Sequence, residues 1–325
     1  MLTTASTLLA GLLLLYFGAE WLVKGAAGLG RSLGIRPLVI GLTVVAYGTS
    51  MPELVVSAVA ALHGSGAIAV GNVIGSNIAN LGLILGITAL IAPVAVEGRL
   101  IRREVPVLAV STVLVPLVLY DGAVSRLDAA VLLGGACLFT VYTLLSRAPA
   151  ESEECAALIE ADAEAAGAPG GGGRLWLVFV AAAGLGLLLG GGRLFVTSAA
   201  DLARLLGMSE RVVGLTIVAV GTSMPELATS VVAAVRGHAS IALGNIVGSN
   251  IFNVFFVLGA AGMIRPLQLP LAGLGLELIA LFVVTAFAVV LLRRERVVNR
   301  LEGGLLAVSY AIFLAMLALG VGAPG

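Results

Sequence analysis

Charge is scarce in this chain: Asp, Glu, Lys and Arg together make up 11% of its 325 residues, against 60% hydrophobic. A soluble globule carries about 25% charged residues to cover its surface, so that class is excluded. Histidine is almost missing too. His63 and His238 are the only two, which removes the imidazole sets that hold softer metals and any Ser-His or metal-His catalytic constellation. Cysteine stops at Cys137, in an apolar stretch, and Cys155, in a polar one, and this pair offers neither a disulfide framework nor a metal-ligand spacing. Basic residues balance acidic ones, 18 to 18, so the electropositive footprint of a nucleic-acid binder is absent. No basic region precedes the first apolar run, and no cleavable signal is expected.

Apolar sequence fills the chain instead, at a mean hydropathy of +1.13. A helix needs about 20 mostly apolar residues to cross the bilayer core, and short polar or Gly/Pro breaks mark the turns. On that rule the chain is an all-α polytopic membrane protein with ten transmembrane helices, at about 5–30, 37–62, 67–92, 104–120, 127–146, 175–200, 211–235, 239–264, 271–292 and 302–321. The stretch 147–174 carries six acidic residues and ends in glycines. It is the one substantial hydrophilic linker, dividing a first unit, 1–146, from a second, 175–325. Its carboxylates lack the spacing of a calcium loop, so it reads as a solvated connection. Thirteen of the 18 Lys and Arg fall on the linker's side of the membrane. The positive-inside rule then puts the linker in the cytoplasm and both termini outside, in a cell (inner) membrane. With five spans in each half, the second half enters the membrane the other way up, and the expected fold is a pair of inverted five-helix repeats.

The halves also repeat in sequence. Residues 41–80 return at 214–253, offset by 173 without a gap, and 26 of the 40 positions are identical. Identity concentrates in GTSMPEL (48–54 and 221–227) and GNxxGSNIxN (71–80 and 244–253). Pro52 has no N–H and crowds the carbonyl of Gly48, so the helix should open there, eased by the glycine; Pro225 and Gly221 repeat the arrangement. Opened backbone at membrane depth persists only where it is buried in protein or lines a wet cavity. Thr49, Ser50, Thr222 and Ser223 bring hydroxyls to the opening, and Glu53 and Glu226 bring carboxylates. Asn72, Ser76 and Asn80 follow at four-residue steps along one helix stripe, as do Asn245, Ser249 and Asn253, with Asn77 and Asn250 alongside. Gly71 and Gly75, like Gly244 and Gly248, are spaced for close helix approach. Inversion would bring the two broken helices together as a cage of oxygens with two carboxylates, which suits hard cations such as calcium or sodium. One string alone could be a kink or packing glue. A membrane glutamate duplicated at proline-broken positions reads as an ion site. Beyond the strings, Glu104 matches Glu277 in register, and Glu20 faces Arg193. The latter two read as structural charges that snorkel or pair, and the histidines as solvated loop-end residues.

At these residues the sequence resembles the sodium/calcium exchanger branch of the cation/calcium exchanger superfamily, whose two repeats carry GTSxPE and GNxxGSNxxN patterns. It is most similar to the short prokaryotic members that lack large regulatory domains. The resemblance implies four cation sites at the repeat interface, one for calcium and up to three for sodium, used alternately. It implies that Glu53 and Glu226 are shared central ligands, with the carbonyls and hydroxyls of Thr49 and Thr222 completing the calcium site. Ser50, Ser76, Ser223 and Ser249, with the carbonyls of Ala46 and Ala219, would line the outer sodium sites. Asn80 and Asn253 would form the remaining central pair. Some relatives carry aspartate at the second of these positions, so Asn253 makes this cage more symmetric and less acidic. The resemblance further implies that spans 1 and 6 slide across a rigid core.

The function expected is therefore a secondary active antiporter exchanging sodium for calcium by alternating access, with electrogenic calcium extrusion. The alternatives are a calcium/proton antiporter on the same fold, a cation channel, and, weakest, an intramembrane enzyme. The expected partners are calcium and sodium as substrates and the lipid bilayer, with no cofactor, no nucleic acid and a monomeric chain.

Overall fold

Apolar sequence becomes helix almost throughout the computed structural model, which describes residues 2–145, 173–206, 219–269, 274–294 and 296–320. The first half holds α1 (Leu2–Leu33), α2 (Pro37–Thr49), α3 (Met51–Leu62), α4 (Gly66–Ile91), a short α5 (Gly98–Arg102), α6 (Glu104–Val118) and α7 (Arg126–Leu145). The second holds α8 (Arg174–Leu205), a single turn α9 (Ala219–Gly221), α10 (Met224–Val235), α11 (Ala239–Ile264), α12 (Gly275–Arg294) and α13 (Arg300–Ala318). Among the described residues seven helices are long and apolar enough to cross a membrane, eight when α2 and α3 count as one bent span. The expected spans at 104–120 and 211–235 appear as shorter helices, α6 and α10. Residues 207–218, at the start of the latter span, and 146–172 of the linker region lie outside the described residues.

Two helices form the centre. In α4 and α11, 72% and 94% of the most apolar stretch is buried, against 28% in α7, α8 and α13, which leaves the latter to face lipid. Each central helix widens from α to π geometry at an equivalent asparagine, over Asn80–Ile84 and Asn253–Leu258. π turns recur at functional sites. The turns leading into α4 and α11 are closed by equivalent glycines with left-handed backbones, Gly64 (φ 76°) and Gly237 (φ 83°).

The long helices α1 and α8 pack antiparallel along their whole length, because glycine recurs at seven-residue spacing on both. A Cβ at Gly11 would meet Phe195, at Gly18 Leu188 and at Gly25 Ala181. The reciprocal contacts are as close: a Cβ at Gly184 would collide with the amide nitrogen of Leu22. With no side chain between them, the backbones themselves are in contact.

Two short antiparallel ribbons tie the halves together. β1 (Val94–Ala95) pairs with β4 (Val297–Val298), and β2 (Ala123–Val124) with β3 (Leu267–Gln268). Each ribbon takes one strand from either half. Nearby, the buried Glu104 meets Arg99 of α5 at 3.6 Å, whereas its counterpart Glu277 is only partly buried.

Candidate cation site

The helix breaks where proline demands it. α2 ends at Thr49 and α3 starts at Met51, with Ser50 at φ −81° and ψ 7° and Pro52 in the first turn of α3, where its missing N–H costs nothing. The chain bends there by 44°. Ser223 repeats the geometry, at φ −89° and ψ 9°, before α10. Glu53 and Glu226 therefore occupy the first turns of two helices that begin inside the protein, and both are fully buried.

The hydroxyls cross between the halves. Ser223 donates to Glu53 Oε1 at 3.1 Å, and Ser50 donates to Glu226 Oε1 at 3.2 Å. Ser76 reaches Glu53 Oε1 at 3.5 Å. Each carboxylate is thus touched by the broken helix of the opposite half. Asn253 donates to Asn77 Oδ1 at 3.1 Å, and Asn77 donates to the carbonyl of Asn250 at 3.2 Å, which fastens α4 to α11 beside the carboxylates. Thr49 donates to Asn245 Oδ1 at 3.0 Å. Ala46 is buried, and its carbonyl accepts the amide of Ser50; Ala219 contributes backbone to α9. Gly48 and Gly221 leave room for α8: a Cβ would lie 3.1 Å from Leu185 Cδ2 and 2.5 Å from Val196 Cγ2 respectively.

Many oxygens here have no hydrogen-bond partner. They include Glu53 Oε2, Glu226 Oε2, Asn80 Oδ1, Asn253 Oδ1, Ser249 Oγ and Thr222 Oγ1. Buried polar atoms are nearly always paired, so this set of unpaired oxygens among the candidate residues, with the Asn80 amide nitrogen unpaired beside them, fits a site for a positively charged ligand. Among the described residues no Lys or Arg pairs with either carboxylate. Nor does any group of three or more His, Cys, Asp or Glu come together among them. Two carboxylates with neutral oxygens form a hard-cation environment.

A family model described as "Sodium/calcium exchanger protein" matches residues 3–145 and 176–319. The chain belongs to the sodium/calcium exchanger family. Within that family it is 40% identical to the inner membrane protein YrbG of Escherichia coli K12, covering 98% of this chain and 97% of YrbG. It is 32% identical to the sodium/calcium exchanger MaX1 of Methanosarcina acetivorans, covering 95% and 97%. The structure of the sodium-calcium exchanger NCX_Mj, from crystals soaked with Na+ and Ca2+, superposes with a TM-score of 0.81 at 30% identity, covering 98% of this chain and 99% of that one. The chain is accordingly a multi-pass membrane protein of a family of cation/calcium antiporters.

Several features of this family member were not read from its sequence. Asn72 and Asn245 head the polar stripes but serve the backbone. Asn72 donates to the carbonyl of Glu53 (3.1 Å) and to Ser57 (2.9 Å), and Asn245 to the carbonyl of Glu226 (3.4 Å) and to Ser230 (3.0 Å). They hold the turns on which the glutamates sit. His63 is exposed as expected, but His238 is 4% exposed; its turn is the one Arg236 fastens to α1. Glu20 does pair, with that Arg236 and not with Arg193.

The exchanger fold is also asymmetric in a way its repeats are not. α1 lies along α10 and shares a core with it, so that Val232 is 8% exposed; α8 barely touches α3, and the counterpart Val59 is 47% exposed. Thr49 bonds Asn245, while Thr222 Oγ1 has no such partner. Tyr47 stacks on Phe252 with centroids 3.8 Å apart, and its hydroxyl meets Thr140; the equivalent pair is Val220 and Ala79. Among the described residues α1 covers α10, whereas α8 leaves α3 uncovered.

Proposed function

We propose that this protein is a sodium-driven calcium antiporter that moves calcium out of the cell by alternating access. The observation that carries the reading is the set of buried, unpartnered oxygens around two carboxylates that no described basic residue neutralises. Taking two such charges out of water is costly unless something positive sits between them. One calcium ion matches them, and sodium ions use the same ligands in turn.

In this reading Glu53 and Glu226 are the central ligands, with Thr49 and Thr222 beside them. Ser50, Ser76, Ser223, Ser249 and the carbonyls of Ala46 and Ala219 serve the outer sodium positions, and Asn80 and Asn253 the remaining central one. The two units, 1–146 and 175–325, are inverted five-helix repeats making ten spans in all, with termini outside and the 147–174 linker in the cytoplasm. Three relationships support the inversion. Equivalent helices α1 and α8 run antiparallel. The ribbon β1·β4 has its counterpart in β3·β2. The cross-half bonds Ser223–Glu53 and Ser50–Glu226 are counterparts of each other. The asymmetric packing of α1 and α8 fits a carrier caught with one mouth closed. A single chain holds both halves of the cage, so a monomer suffices.

Calcium uptake into proteoliposomes, driven by imposed sodium or proton gradients applied separately, tests the assignment. Sodium-driven uptake is the expected result. Uptake that follows a pH gradient and ignores sodium would transfer the protein to the proton-coupled reading.

A further inference from the structure

Glu20 and Arg193 stand at equivalent positions, 173 residues apart, yet carry opposite charges. The same offset links His63 to Arg236. In the structure Glu20 of α1 and Arg236 at the end of α10 form an ion pair, Oε1 to Nη2, of 2.6 Å, and the same Nη2 lies 3.5 Å from the hydroxyl of Tyr16. The pair closes the flank on which α1 covers α10. Exchanging the halves turns Glu20–Arg236 into Arg193–His63, and Tyr16 into Leu189. That counterpart contact contains no acid and loses the hydroxyl. It also faces another cation, because Arg265 borders the turn after His63, with its Nη1 2.9 Å from where a Cβ on Gly64 would sit. Arg193 is exposed, and α8 lies off α3.

We infer that Glu20 and Arg236 are positioning residues for exchange: their ion pair holds α1 across the α10 mouth and biases the carrier toward the conformation seen here, while the opposite closure brings Arg193 toward His63 and Arg265 without any attraction. The inference rests on the alternating-access reading and adds an unequal weighting of its two states. The repeats make the ion cage nearly indifferent to which mouth is open. The charges at its rim are not. Glu20 and Arg236 have side chains 31% and 49% exposed, so water weakens the pair and the bias corresponds to about a two- to fivefold change in population. That is small enough for each transport cycle to reverse it, and large enough to make one mouth the resting one.

The test uses the full chain in proteoliposomes, with Cys137→Ser and Cys155→Ser removing the native thiols. Val232→Cys reports on the α10 mouth, and its counterpart Val59→Cys reports on the α3 mouth. A membrane-impermeant maleimide should label Val232→Cys about two- to fivefold faster when Glu20→Gln or Arg236→Gln is added, and Val59→Cys correspondingly slower. The swap Glu20→Arg with Arg236→Glu should restore the parental rates, which a merely structural loss would not do. Arg193→Glu supplies the missing acid and should act in the same direction as Glu20→Gln. Unchanged labelling in the single variants, or a swap that fails to restore it, would overturn the inference. Absence of sodium-dependent calcium flux from the parent chain would instead overturn the antiporter reading, whatever the labelling.

Discussion

Thr112 and Thr285 are 173 residues apart in the chain and 3.4 Å apart through their hydroxyls. Each is the other's counterpart in the repeat, so their contact marks where a two-fold axis relating the halves would run. The same exchange carries Glu53 onto Glu226. The first prediction concerns those glutamates. Glu53→Gln and Glu226→Gln keep the side-chain volume and remove one charge each, leaving a divalent ion half matched in a buried site. Sodium-dependent calcium flux should fall by about a hundredfold in either variant, with the protein still folded by size-exclusion chromatography and thermal melting. Near-normal flux from one of them, at equal reconstituted amounts, would remove that residue from the site.

Asn245 and Asn72 do the same local work with different exposure, which separates their costs. The Asn245 side chain is fully buried and bonds Thr49, Ser230 and the Glu226 carbonyl. Asn245→Ala strands those groups away from water, at about 1–3 kcal/mol. Asn72 is partly exposed, so water can replace the side chain in Asn72→Ala. Thermal unfolding in detergent should give a clearly lower Tm for Asn245→Ala; equal values would contradict the packing asymmetry described above.

The antiparallel contact of α1 with α8 predicts a sharp contrast between neighbouring glycines. Gly184→Ala forces a methyl against the Leu22 backbone and should spread the helices, at about 1–3 kcal/mol and with most transport lost. A Cβ at Gly186 or Gly190 meets no described atom within 4 Å. Gly186→Ala and Gly190→Ala should keep wild-type flux and Tm.

Charge counting gives the fourth expectation. With Asn80 and Asn253 neutral, two glutamates and one calcium make a neutral complex. With three sodium ions, as the family resemblance implies, the complex carries one positive charge, and moving it through the field is worth about 2.3 kcal/mol per 100 mV for a full crossing. An inside-negative potential should therefore accelerate sodium entry and calcium exit. Flux in proteoliposomes clamped with potassium and valinomycin measures this, and voltage-independent exchange would exclude that stoichiometry.

How far the sequence foretold this site depends on the range of the interaction. The break at Ser50 and Ser223 follows from Pro52 and Pro225 acting on their own turns, and it is found where local chemistry puts it. The bringing together of Glu53 with Ser223, and of Glu226 with Ser50, is what duplication followed by the opposite insertion we propose would produce. What the letters did not disclose is direction. Asn72 lies on the expected stripe but turns to a backbone carbonyl, because an opened turn leaves that carbonyl in need of a donor. The glycines at 11, 18 and 25 were open to view as a heptad, yet their meaning needs a partner, and only the fold names α8. The packing of α1 on α10, which α8 does not repeat on α3, could not be read from near-identical repeats at all. It coincides with residues that break the repeat, such as Glu20 against Arg193.

The two ribbons bear on how such a chain comes into being. When the first half has left the ribosome, β1 and β2 exist but neither has a strand to pair with, since β4 and β3 are still to be made. Pairing them recruits two separate points of the second half, Leu267–Gln268 just after α11 and Val297–Val298 just before α13. β2 can therefore be paired once Leu267–Gln268 is made, whereas β1 has no partner until Val297–Val298 follows, just ahead of α13. Closure of the two ribbons is consequently stepwise in chain order, and a chain truncated before Val297 would keep the strands of β2·β3 and lack one strand of β1·β4.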